Sequence, residues 1–594
     1  MKRSIRLWIG MVLTVLSLAA LASWEAWADP KADAGFLALD AATGRVEVFG
    51  PDFKMLTRFA AAPGPRNVVP AAADAGYWLL CAGAGAPQGR IRSAGVLLHL
   101  GPDLKPDGGR FKLPGLVLRD FYLKDRALWI IVSAVGEGKN QTAAVTLFDL
   151  RSGTARQADL NSLPSCFQLD PERQRLAVGT LGISGQVQPE LALLNLQNLA
   201  LNTYPVGLNP GAIFFLDADS ALVVSGGYRP RQSYPDELLI AKASQPVPAT
   251  LHLIRFNGAP VCNLAIGLSP VAVVRDRTDP SLFYIASSSL SSFDQAAGAK
   301  NPHDGYSYLF AKQDKNAGNA PAENSPGTLY KIRGGQILAQ TGLPFEPTNL
   351  LQAPDGHLCV TGWDAYGLAD TGLRLLSQAD LGLRLDGALL KEHTAYFTVA
   401  NSSTLHAIDL AGGKPYPPVK LSNFSFFGTF RINDWLGGDR TMPPVVGAVQ
   451  PAGDLTVYPT ANQRLMSSPS GNEIYALSSS ADLGVVDAAS NSLRRSIALQ
   501  GYPYGLQLTP NGRYLVVATE LSWHLIQPDQ ARPVLSVMIS PDGKAPQTGF
   551  YSPDGRWLAI PYEYSFYVLD TESAKLVGKF PLRSTKPVLI WPVH

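Results

Sequence analysis

Apolar and polar positions alternate along the chain in short segments, and one arrangement of them recurs. From Gly501 to Glu520 the sequence GYPYGLQLTPNGRYLVVATE places an apolar segment on each side of a polar turn. Similar segments run from Gln463 to Ser479 and from Gln547 to Glu563. Strand-forming residues around a turn of Pro, Asn or Asp, and Gly predict an antiparallel hairpin. The turn prolines lie 41 and 43 residues apart, at Pro469, Pro510 and Pro553.

Two further apolar segments follow the hairpin in each repeat. After the hairpin around Pro469 come LGVVDAAS and SLRRSIAL, which predict a third and a fourth strand. Four strands in about 42 residues match the size of one blade of a β-propeller. The chain is therefore predicted to be all-β, built of four-stranded antiparallel blades.

Weaker copies of the hairpin occur upstream, and most neighbouring copies are 37 to 51 residues apart. Together with the three strong copies they give about eleven blade signals. The upstream signals lie near Asp33, Asp74, Asp125, Pro171, Asp217, Pro280, Pro354 and His393.

The repeats also resemble a known family. The units from Gln463 to Leu582 resemble the YVTN-type β-propeller repeats of exported bacterial proteins. The first unit, GFLALDAATGRVEVFGPDFKMLTRF, resembles an NHL-type blade. This resemblance implies a propeller fold but no particular function, because one fold supports many functions.

Two arrangements of the blades are compatible with eleven signals. Either one ring of seven or eight blades carries insertions, or the chain builds two rings that divide near residues 421–450; the second is slightly favoured. The first unit, GFLALD, starts as a second strand without a first, and an isolated strand lies at residues 587–593. We therefore expect the C-terminal strand to complete the first blade.

The N-terminus predicts export. Lys2, Arg3 and Arg6 precede an apolar segment, and Ala26-Trp27-Ala28 has small residues at the −3 and −1 positions of a cleavage site. This pattern predicts a signal peptide over residues 1–28, cleaved after Ala28, and a periplasmic or extracellular protein over residues 29–594. No other segment approaches ~18 consecutive apolar residues, so no membrane span is expected in the mature chain.

Charge and cysteine content narrow the function classes. The whole chain has 50 Lys and Arg and 48 Asp and Glu, and the predicted signal removes three basic residues and one acidic residue. The mature chain is therefore close to neutral, which argues against a nucleic-acid partner.

The four cysteines, Cys81, Cys166, Cys262 and Cys359, are 85 to 97 residues apart in apolar segments. Free buried thiols are favoured, although disulfides are also compatible with this spacing.

Three segments interrupt the repeat, at residues 226–248, 288–327 and 421–450. Aromatic residues and arginine dominate binding hot spots, so the first and third segments are candidate binding sites for a protein partner or a small ligand. Each segment also has an alternative that involves no binding: the first would be a solvated loop, and the aromatic residues of the third would plug the ring. The candidate residues are Tyr228, Arg229 and Arg231, and then Phe424, Phe426, Phe427, Phe430, Arg431, Asp434, Trp435 and Arg440.

Catalytic motifs are missing from the sequence. It contains no CxxCH, HExxH, GxSxG or GxxxxGK[ST], and its eight histidines form no tight pair. We predict no cofactor and no metal site. The favoured interpretation is an exported scaffold that binds a protein or ligand through loops on one ring face. The alternative is a propeller-type enzyme, either redox with a noncovalent cofactor or a metal-assisted hydrolase or lyase, acting at the central channel.

Overall fold

The fold is seen in a computed structural model of the chain. The structure describes residues 36–590, with gaps at residues 72–75, 86–88, 184–185, 228–246, 259–261, 268, 289–326, 363–364, 382–384, 400–401, 423–463, 528–531, 541–548, 553 and 584–587.

The described strands form eleven four-stranded antiparallel sheets, which are the blades, and one two-stranded ribbon. In each blade the strands are called A to D from the channel outward. Blade 1 consists of β1 (Phe36–Asp40), β2 (Arg45–Phe49), β3 (Met55–Ala60) and the last strand, β46 (Val588–Ile590). Blade 2 consists of β4 (Pro65–Pro70), β5 (Tyr77–Cys81), β8 (Val96–Leu100) and β9 (Pro106–Lys112), and the ribbon β6 (Ala84–Gly85) and β7 (Ile91–Ser93) connects β5 to β8.

The next three blades have four strands in chain order. Blade 3 consists of β10 (Leu116–Leu123), β11 (Leu128–Val135), β12 (Thr142–Asp149) and β13 (Thr154–Leu160), with short 3-10 helices at Lys124–Arg126 and Gly138–Asn140. Blade 4 consists of β14 (Pro164–Asp170), β15 (Arg175–Thr180), β16 (Glu190–Asn195) and β17 (Leu201–Pro205). Blade 5 consists of β18 (Pro210–Phe215), β19 (Ser220–Ser225), β20 (Thr250–Arg255) and β21 (Cys262–Ala265).

Blades 6 to 8 repeat this order. Blade 6 consists of β22 (Ser269–Arg275), β23 (Leu282–Ser288), β24 (Gly327–Arg333) and β25 (Gln336–Leu343). Blade 7 consists of β26 (Pro347–Gln352), β27 (Leu358–Gly362), β28 (Ala365–Ala369) and β29 (Leu375–Asp380). Blade 8 consists of β30 (Leu385–Lys391), β31 (Thr394–Val399), β32 (Thr404–Asp409) and β33 (Val419–Lys420).

Blades 9 to 11 are built from the strongest sequence repeats. Blade 9 consists of β34 (Leu465–Ser467), β35 (Glu473–Leu477), β36 (Asp482–Asp487) and β37 (Ser492–Ala498). Blade 10 consists of β38 (Pro503–Leu508), β39 (Leu515–Thr519), β40 (Ser522–Ile526) and β41 (Leu535–Met538). Blade 11 consists of β42 (Phe550–Tyr551), β43 (Trp557–Tyr562), β44 (Ser565–Asp570) and β45 (Lys575–Pro581).

The apolar faces of the blades pack in a closed circle. Each large cluster of buried side chains joins two blades that are consecutive in the chain, from blades 1 and 2 through blades 10 and 11. A further cluster joins blade 11 back to blade 1, through Phe36, Phe49 and Phe566. Since burial of apolar surface is what holds one sheet on the next, these contacts define one ring of eleven blades.

The expected ring of seven or eight blades, or pair of rings, is therefore wrong. Each of the eleven sequence signals corresponds to one blade, and all eleven blades belong to one ring. The error came from the usual size of a propeller ring, four to eight blades, which made eleven signals look too many. Residues 421–450 do not divide two rings, because one apolar cluster joins blade 8 before them to blade 9 after them.

The ring is closed by a pairing between the two ends of the described chain. The backbone of β46 pairs antiparallel with β1, with Leu37 opposite Ile590 and Leu39 opposite Val588. The strand thereby occupies the innermost position of blade 1, so this blade combines three N-terminal strands with one C-terminal strand.

The hairpin turn of blade 10 shows why its sequence recurs. The Gly512 N–H donates to Thr509 O over 2.7 Å, and Gly512 adopts a left-handed φ of 68° that favours glycine. Asn511 Oδ1 accepts a hydrogen bond from the Arg513 N–H over 3.1 Å. Pro, Asn and Gly thus each satisfy a separate requirement of the turn.

The cysteines lie on strands of blades 2, 4, 5 and 7. Cys81, Cys166 and Cys359 have free thiols, which confirms the expectation for these three. Burial raises the pKa of the Cys81 and Cys166 thiols to about 12, so both are protonated at neutral pH.

Candidate functional site

The antiparallel order of the strands gives the ring two unlike faces. Connections from strand A to B and from C to D all lie at one face, called here the turn face. Connections from strand B to C, and from strand D to the next blade, all lie at the opposite face, called here the insertion face.

Long connections occur only at the insertion face. Between the described strands, the longest turn-face connection is residues 410–418. At the insertion face, β19 connects to β20 through residues 226–249, β23 to β24 through residues 289–326, and β33 to β34 through residues 421–464. The β6–β7 ribbon of blade 2 is also at this face. The three insertions predicted from sequence therefore leave the ring on the same side.

The first insertion is held where it leaves blade 5. Asn209 precedes this blade, and its Nδ2 donates to Gly227 O over 2.7 Å. The Gly227 N–H donates in turn to Leu208 O over 2.9 Å. A Cβ on Gly227 would lie 2.1 Å from Val247 O, so the two ends of the insertion approach too closely for a side chain there. The ring thus fixes the entry and exit points of this segment.

The third insertion is held by blades 8 to 10. The Leu421 N–H donates to Ser403 O over 2.7 Å at one end of the insertion. At the other end, Arg464 Nη2 donates to the Tyr502 hydroxyl over 2.6 Å, and the guanidinium carbon lies 5.0 Å from the centre of the Tyr502 ring. An arginine stacked on an aromatic ring holds a defined orientation. The described chain therefore presents a positioned arginine directly beside this insertion.

Serine hydroxyls form a cluster next to Arg464. Ser478 is buried, and its hydroxyl donates to Ser403 Oγ over 3.0 Å. Ser403 also contacts the Ser480 hydroxyl, and the Ser480 N–H donates to Ser478 Oγ over 2.9 Å. These hydrogen bonds join the insertion-face turns of blades 8 and 9. The surface around the third insertion is therefore polar, and its two turns are held together.

A polar network joins the innermost strands of blades 2 and 3. Asp120 is almost buried, and its carboxylate accepts from Asn67 Nδ2 over 2.9 Å and from Trp129 Nε1 over 3.1 Å. Arg66 lies 3.5 Å from the same carboxylate and donates to Leu118 O over 3.3 Å. These donors compensate for the burial of the charge. Arg66 and Leu118 are the extra residues of two β-bulges, which turn both residues away from the regular strand pairing.

Such bulges recur at the start of strand A and form a collar around the channel on the insertion face. Ser165, at the bulge of blade 4, donates to Pro210 O over 2.5 Å at the bulge of blade 5. Arg66 reaches the bulge of blade 3 in the same way, so polar side chains link blade 2 to blade 3 and blade 4 to blade 5. A proline precedes the extra residue in six blades, at Pro65, Pro164, Pro210, Pro270, Pro347 and Pro503.

The third residue of strand C carries a buried acceptor in blades 10 and 1, which have only blade 11 between them. In blade 10, His524 Nε2 accepts from the Gln500 N–H over 3.3 Å, and His524 Nδ1 lies 2.8 Å from Ser536 Oγ. In blade 1, Glu47 Oε2 accepts from the Arg583 N–H over 3.2 Å. In both blades the buried side chain binds the backbone of the connection that arrives from the preceding blade. These residues therefore hold that connection in place at the insertion face.

His524 should make the ring sensitive to acid. Burial lowers the pKa of His524 to about 4 from 6.5, so the unfolded chain binds a proton between these values and the folded chain does not. Stability should therefore fall as pH decreases from about 6.5 to about 4, by up to about 3 kcal/mol from this residue. Urea unfolding at several pH values, for the wild type and His524→Gln, measures this contribution. An equal loss of stability in both proteins over this range would contradict it.

The residues predicted for the binding site lie outside the described residues. Tyr228, Arg229 and Arg231 lie in the gap 228–246, outside the described residues. The same holds for the third segment, where Phe424, Phe426, Phe427, Phe430, Arg431, Asp434, Trp435 and Arg440 lie in the gap 423–463. Sequence reasoning missed Arg464, Tyr502 and the serines, which lie on blades 8 to 10 around the third insertion. The SST and SSSA turns and the GYP connection were the available signals.

The described histidines are dispersed over the ring. His252, His406 and His524 lie on strand C of blades 5, 8 and 10, and burial lowers the pKa of each. At the turn face, His393 Nδ1 lies 3.0 Å and His357 Nδ1 3.1 Å from the Asp355 carboxylate. Within the described part of the chain, no group of three or more His, Cys, Asp or Glu side chains is arranged to hold a metal ion. Nor does this part contain a helix long and apolar enough to cross a membrane.

Comparison with known proteins identifies no family. No protein-family model matches the chain, and no curated protein matches it. Many solved structures are similar in outline. One is the dihydro-heme d1 dehydrogenase NirN in complex with DHE, with 11% identity and a TM-score of 0.32 over 94% of this chain and 75% of that chain.

Two further solved structures have the same level of similarity. AztD from Citrobacter koseri, in its apo form, has 14% identity and a TM-score of 0.30 over 80% of this chain and 96% of that one. The computationally designed protein Ika8 has 8% identity and a TM-score of 0.31 over 71% of this chain and 96% of that one. At such low similarity, no ligand or activity of these proteins can be transferred to this chain.

Proposed function

We propose that the chain is an exported binding scaffold that recognises a protein or ligand through the connections at its insertion face. The observation that carries this proposal is the placement of all three long insertions at one face of the ring. Connections on a rigid framework are where binding residues are concentrated in many proteins, because loops tolerate variation without disturbing the core. A ring that needed its connections only for closure would have no reason to lengthen them on one side.

The insertions are far longer than the blade order requires. The connection from β39 to β40 shows that two residues, 520–521, suffice at the insertion face. Described side chains alone form eleven inter-blade clusters, which join every blade to the next. Connections much longer than a blade needs are typical of recognition loops.

The surface around the third insertion supports this role. Arg464, Tyr502 and the serines from blades 8 and 9 offer a cation, an aromatic face and several hydroxyls in fixed positions. Arginine and tyrosine are enriched at protein-binding hot spots. The aromatic residues and arginines between Phe424 and Arg440 would then add to a platform that the ring supplies.

Export is part of the proposal. Every described strand lies after the proposed cleavage site at Ala28, so removal of residues 1–28 would leave the ring complete. The YVTN-type and NHL-type resemblance of the repeats is consistent with an exported protein. N-terminal sequencing of the protein recovered from a periplasm should give Asp29 as the first residue, and an intact Met1 would contradict cleavage.

Removal of the insertions should separate folding from binding. Replacing residues 228–246, 289–326 and 423–463 each by two glycines should leave the melting temperature within about 5 °C of the wild type, because every inter-blade cluster of described side chains keeps its members. Differential scanning calorimetry measures this. A variant that fails to fold would show that the insertions belong to the ring.

A photocrosslinker on each face of one blade tests where binding occurs. Tyr564 is 64% exposed at the insertion face of blade 11, and Glu572 is an exposed residue at the turn face of the same blade. With p-benzoylphenylalanine at either position, in the cell of origin, we expect adducts from position 564 and none from position 572. Deletion of the insertions should remove those adducts. Adducts from position 572 alone, or from neither position, would overturn the proposal.

A further inference from the structure

Two outer strands on neighbouring blades carry the same exposed sequence pattern. Residues 54–59 read KMLTRF and include most of β3 in blade 1, and residues 575–580 read KLVGKF in β45 of blade 11. Both are strand D, the outermost strand, and ring closure places blades 11 and 1 side by side. In each pattern two basic residues flank an apolar pair. The eight residues Lys54, Met55, Leu56, Arg58, Lys575, Leu576, Val577 and Lys579 are called here the closure rim.

A β-bulge explains how two consecutive apolar residues become exposed on each strand. In β3 the pairing shifts so that Leu56 is an extra residue, and in β45 the same shift makes Val577 extra. A bulge interrupts the alternation that would turn every second side chain inward. Accordingly, Met55 and Leu56 are 43% and 56% exposed, and Leu576 and Val577 are 43% and 44% exposed.

Blade 6 shows that the fold requires the bulge but not the charges. Its outer strand β25 contains the same bulge at Leu338, and the apolar pair Ile337 and Leu338 is 37% and 48% exposed. At the two positions that are basic in blades 1 and 11, blade 6 has Gln336 and Gln340. Lys54 pairs with Asp52 in its turn, but since neutral residues serve the fold in blade 6, Arg58, Lys575 and Lys579 need another explanation.

The closure rim has a net positive charge. Asp52 lies 2.9 Å from Lys54 and offsets its charge, and Glu572 lies 3.4 Å from Arg556, which leaves the charges of Arg58, Lys575 and Lys579. The Lys579 ammonium lies 5.2 Å from the centre of the Tyr567 ring, an attractive contact that keeps its charge. On blade 10, Met538 at the end of β41 is 56% exposed, and Val534 and Arg532 are exposed just before this strand. Exposed apolar and basic side chains therefore occur on three consecutive blades, but the basic–apolar pattern itself is found on blades 11 and 1.

We propose that the closure rim docks on the surface of a bilayer that contains anionic phospholipid. Lysine and arginine are attracted to acidic headgroups, while flanking apolar side chains enter the interface between headgroups and acyl chains. A peptide strand could pair with only one strand edge, whereas the closure rim covers the outer strands of two neighbouring blades on the outside of the ring. A lipid surface can contact both of them together, so it matches the distribution better than a single peptide does.

Vesicle flotation tests this proposal. The probe is a vesicle of phosphatidylglycerol and phosphatidylcholine, compared with phosphatidylcholine alone, and the protein is the chain from Asp29, which contains every described strand. We expect binding to the anionic vesicles only, weakened by salt. Lys575→Gln with Lys579→Gln, which copies blade 6, should reduce partitioning roughly 30-fold, at about fivefold per charge. Leu576→Ser with Val577→Ser should reduce it roughly tenfold.

Matched variants elsewhere on the ring distinguish the rim from general surface effects. Ile337→Ser with Leu338→Ser removes the same kind of apolar pair on blade 6, and Lys414→Gln with Lys420→Gln removes two exposed charges on blade 8. Both should bind vesicles as the wild type does. No binding by the wild type, or equal losses in rim and control variants, would overturn the proposal. A dimer that only the rim variants dissociate in analytical ultracentrifugation would also overturn it, because the rim would then be covered by a second copy.

Discussion

Removal of residues 584–594 should open the ring and lower its melting temperature by about 4 °C. The deletion removes β46, whose backbone pairs with β1 over three residue pairs and completes blade 1. Lost hydrogen bonds cost about 1 kcal/mol each, and the exposed inner edge of β1 adds to this. Since the entropy of unfolding is roughly 2 cal/mol/K per residue, a loss of about 5 kcal/mol corresponds to roughly 4 °C for a ring of about 560 residues. Circular dichroism during heating measures the shift.

A shorter deletion provides the control. Removal of residues 591–594 leaves the whole of β46 in place and should change the melting temperature little. Small-angle scattering should show an increased radius of gyration only for the longer deletion, since only that one separates blade 11 from blade 1. A compact ring of unchanged stability after the longer deletion would show that side-chain packing between blades 11 and 1 suffices for closure.

Phe566→Ala should be among the most destabilising single substitutions in the ring. Phe566 is fully buried between blades 11 and 1, with its ring centre 5.1 Å from those of Phe36 and Phe49 and 5.3 Å from that of Phe580. Truncation of a buried phenylalanine costs about 3–5 kcal/mol, from the lost burial and the cavity that remains. The edge-to-face contacts with Phe36 and Phe49 add to this. The midpoint and slope of urea unfolding give the change in free energy.

Two further variants serve as controls for Phe566→Ala. Phe566→Leu keeps most of the apolar volume and should cost clearly less than Phe566→Ala. Leu576→Ala, on the exposed outer strand of the same blade, should change the free energy of unfolding by less than about 0.5 kcal/mol. If Phe566→Ala costs no more than the surface substitution, the closure cluster does not hold blades 11 and 1 together.

The repeat was readable from the sequence because each blade carries its own local signals. The hairpin around Pro510 has a turn whose residues determine its conformation, and the flanking apolar segments have the length of strands. All eleven signals correspond to blades for this reason. The number of blades in a ring depends instead on the angle between neighbouring sheets. That angle is set by contacts such as those between Phe36 and Phe566, which are far apart in sequence.

The candidate site was less accessible to sequence reasoning. The insertions could be recognised as interruptions of the repeat, but their common face depends on strand order, which only the pairing of strands reveals. Arg464 and Tyr502 are 38 residues apart, and nothing in the local sequence of either predicts their stacking. His524 reads as an ordinary strand residue, and its burial follows from the packing of blade 10 against blade 9.

The pairing of β1 with β46 also determines how the protein can be tethered. Leu37 and Ile590 lie opposite each other at the turn face, so the described chain enters and leaves the ring on the side away from the three insertions. An attachment at either end, to a carrier, a surface or another domain, would leave the insertion face pointing outward. Orientation on a support is thus built into the way the ring is closed.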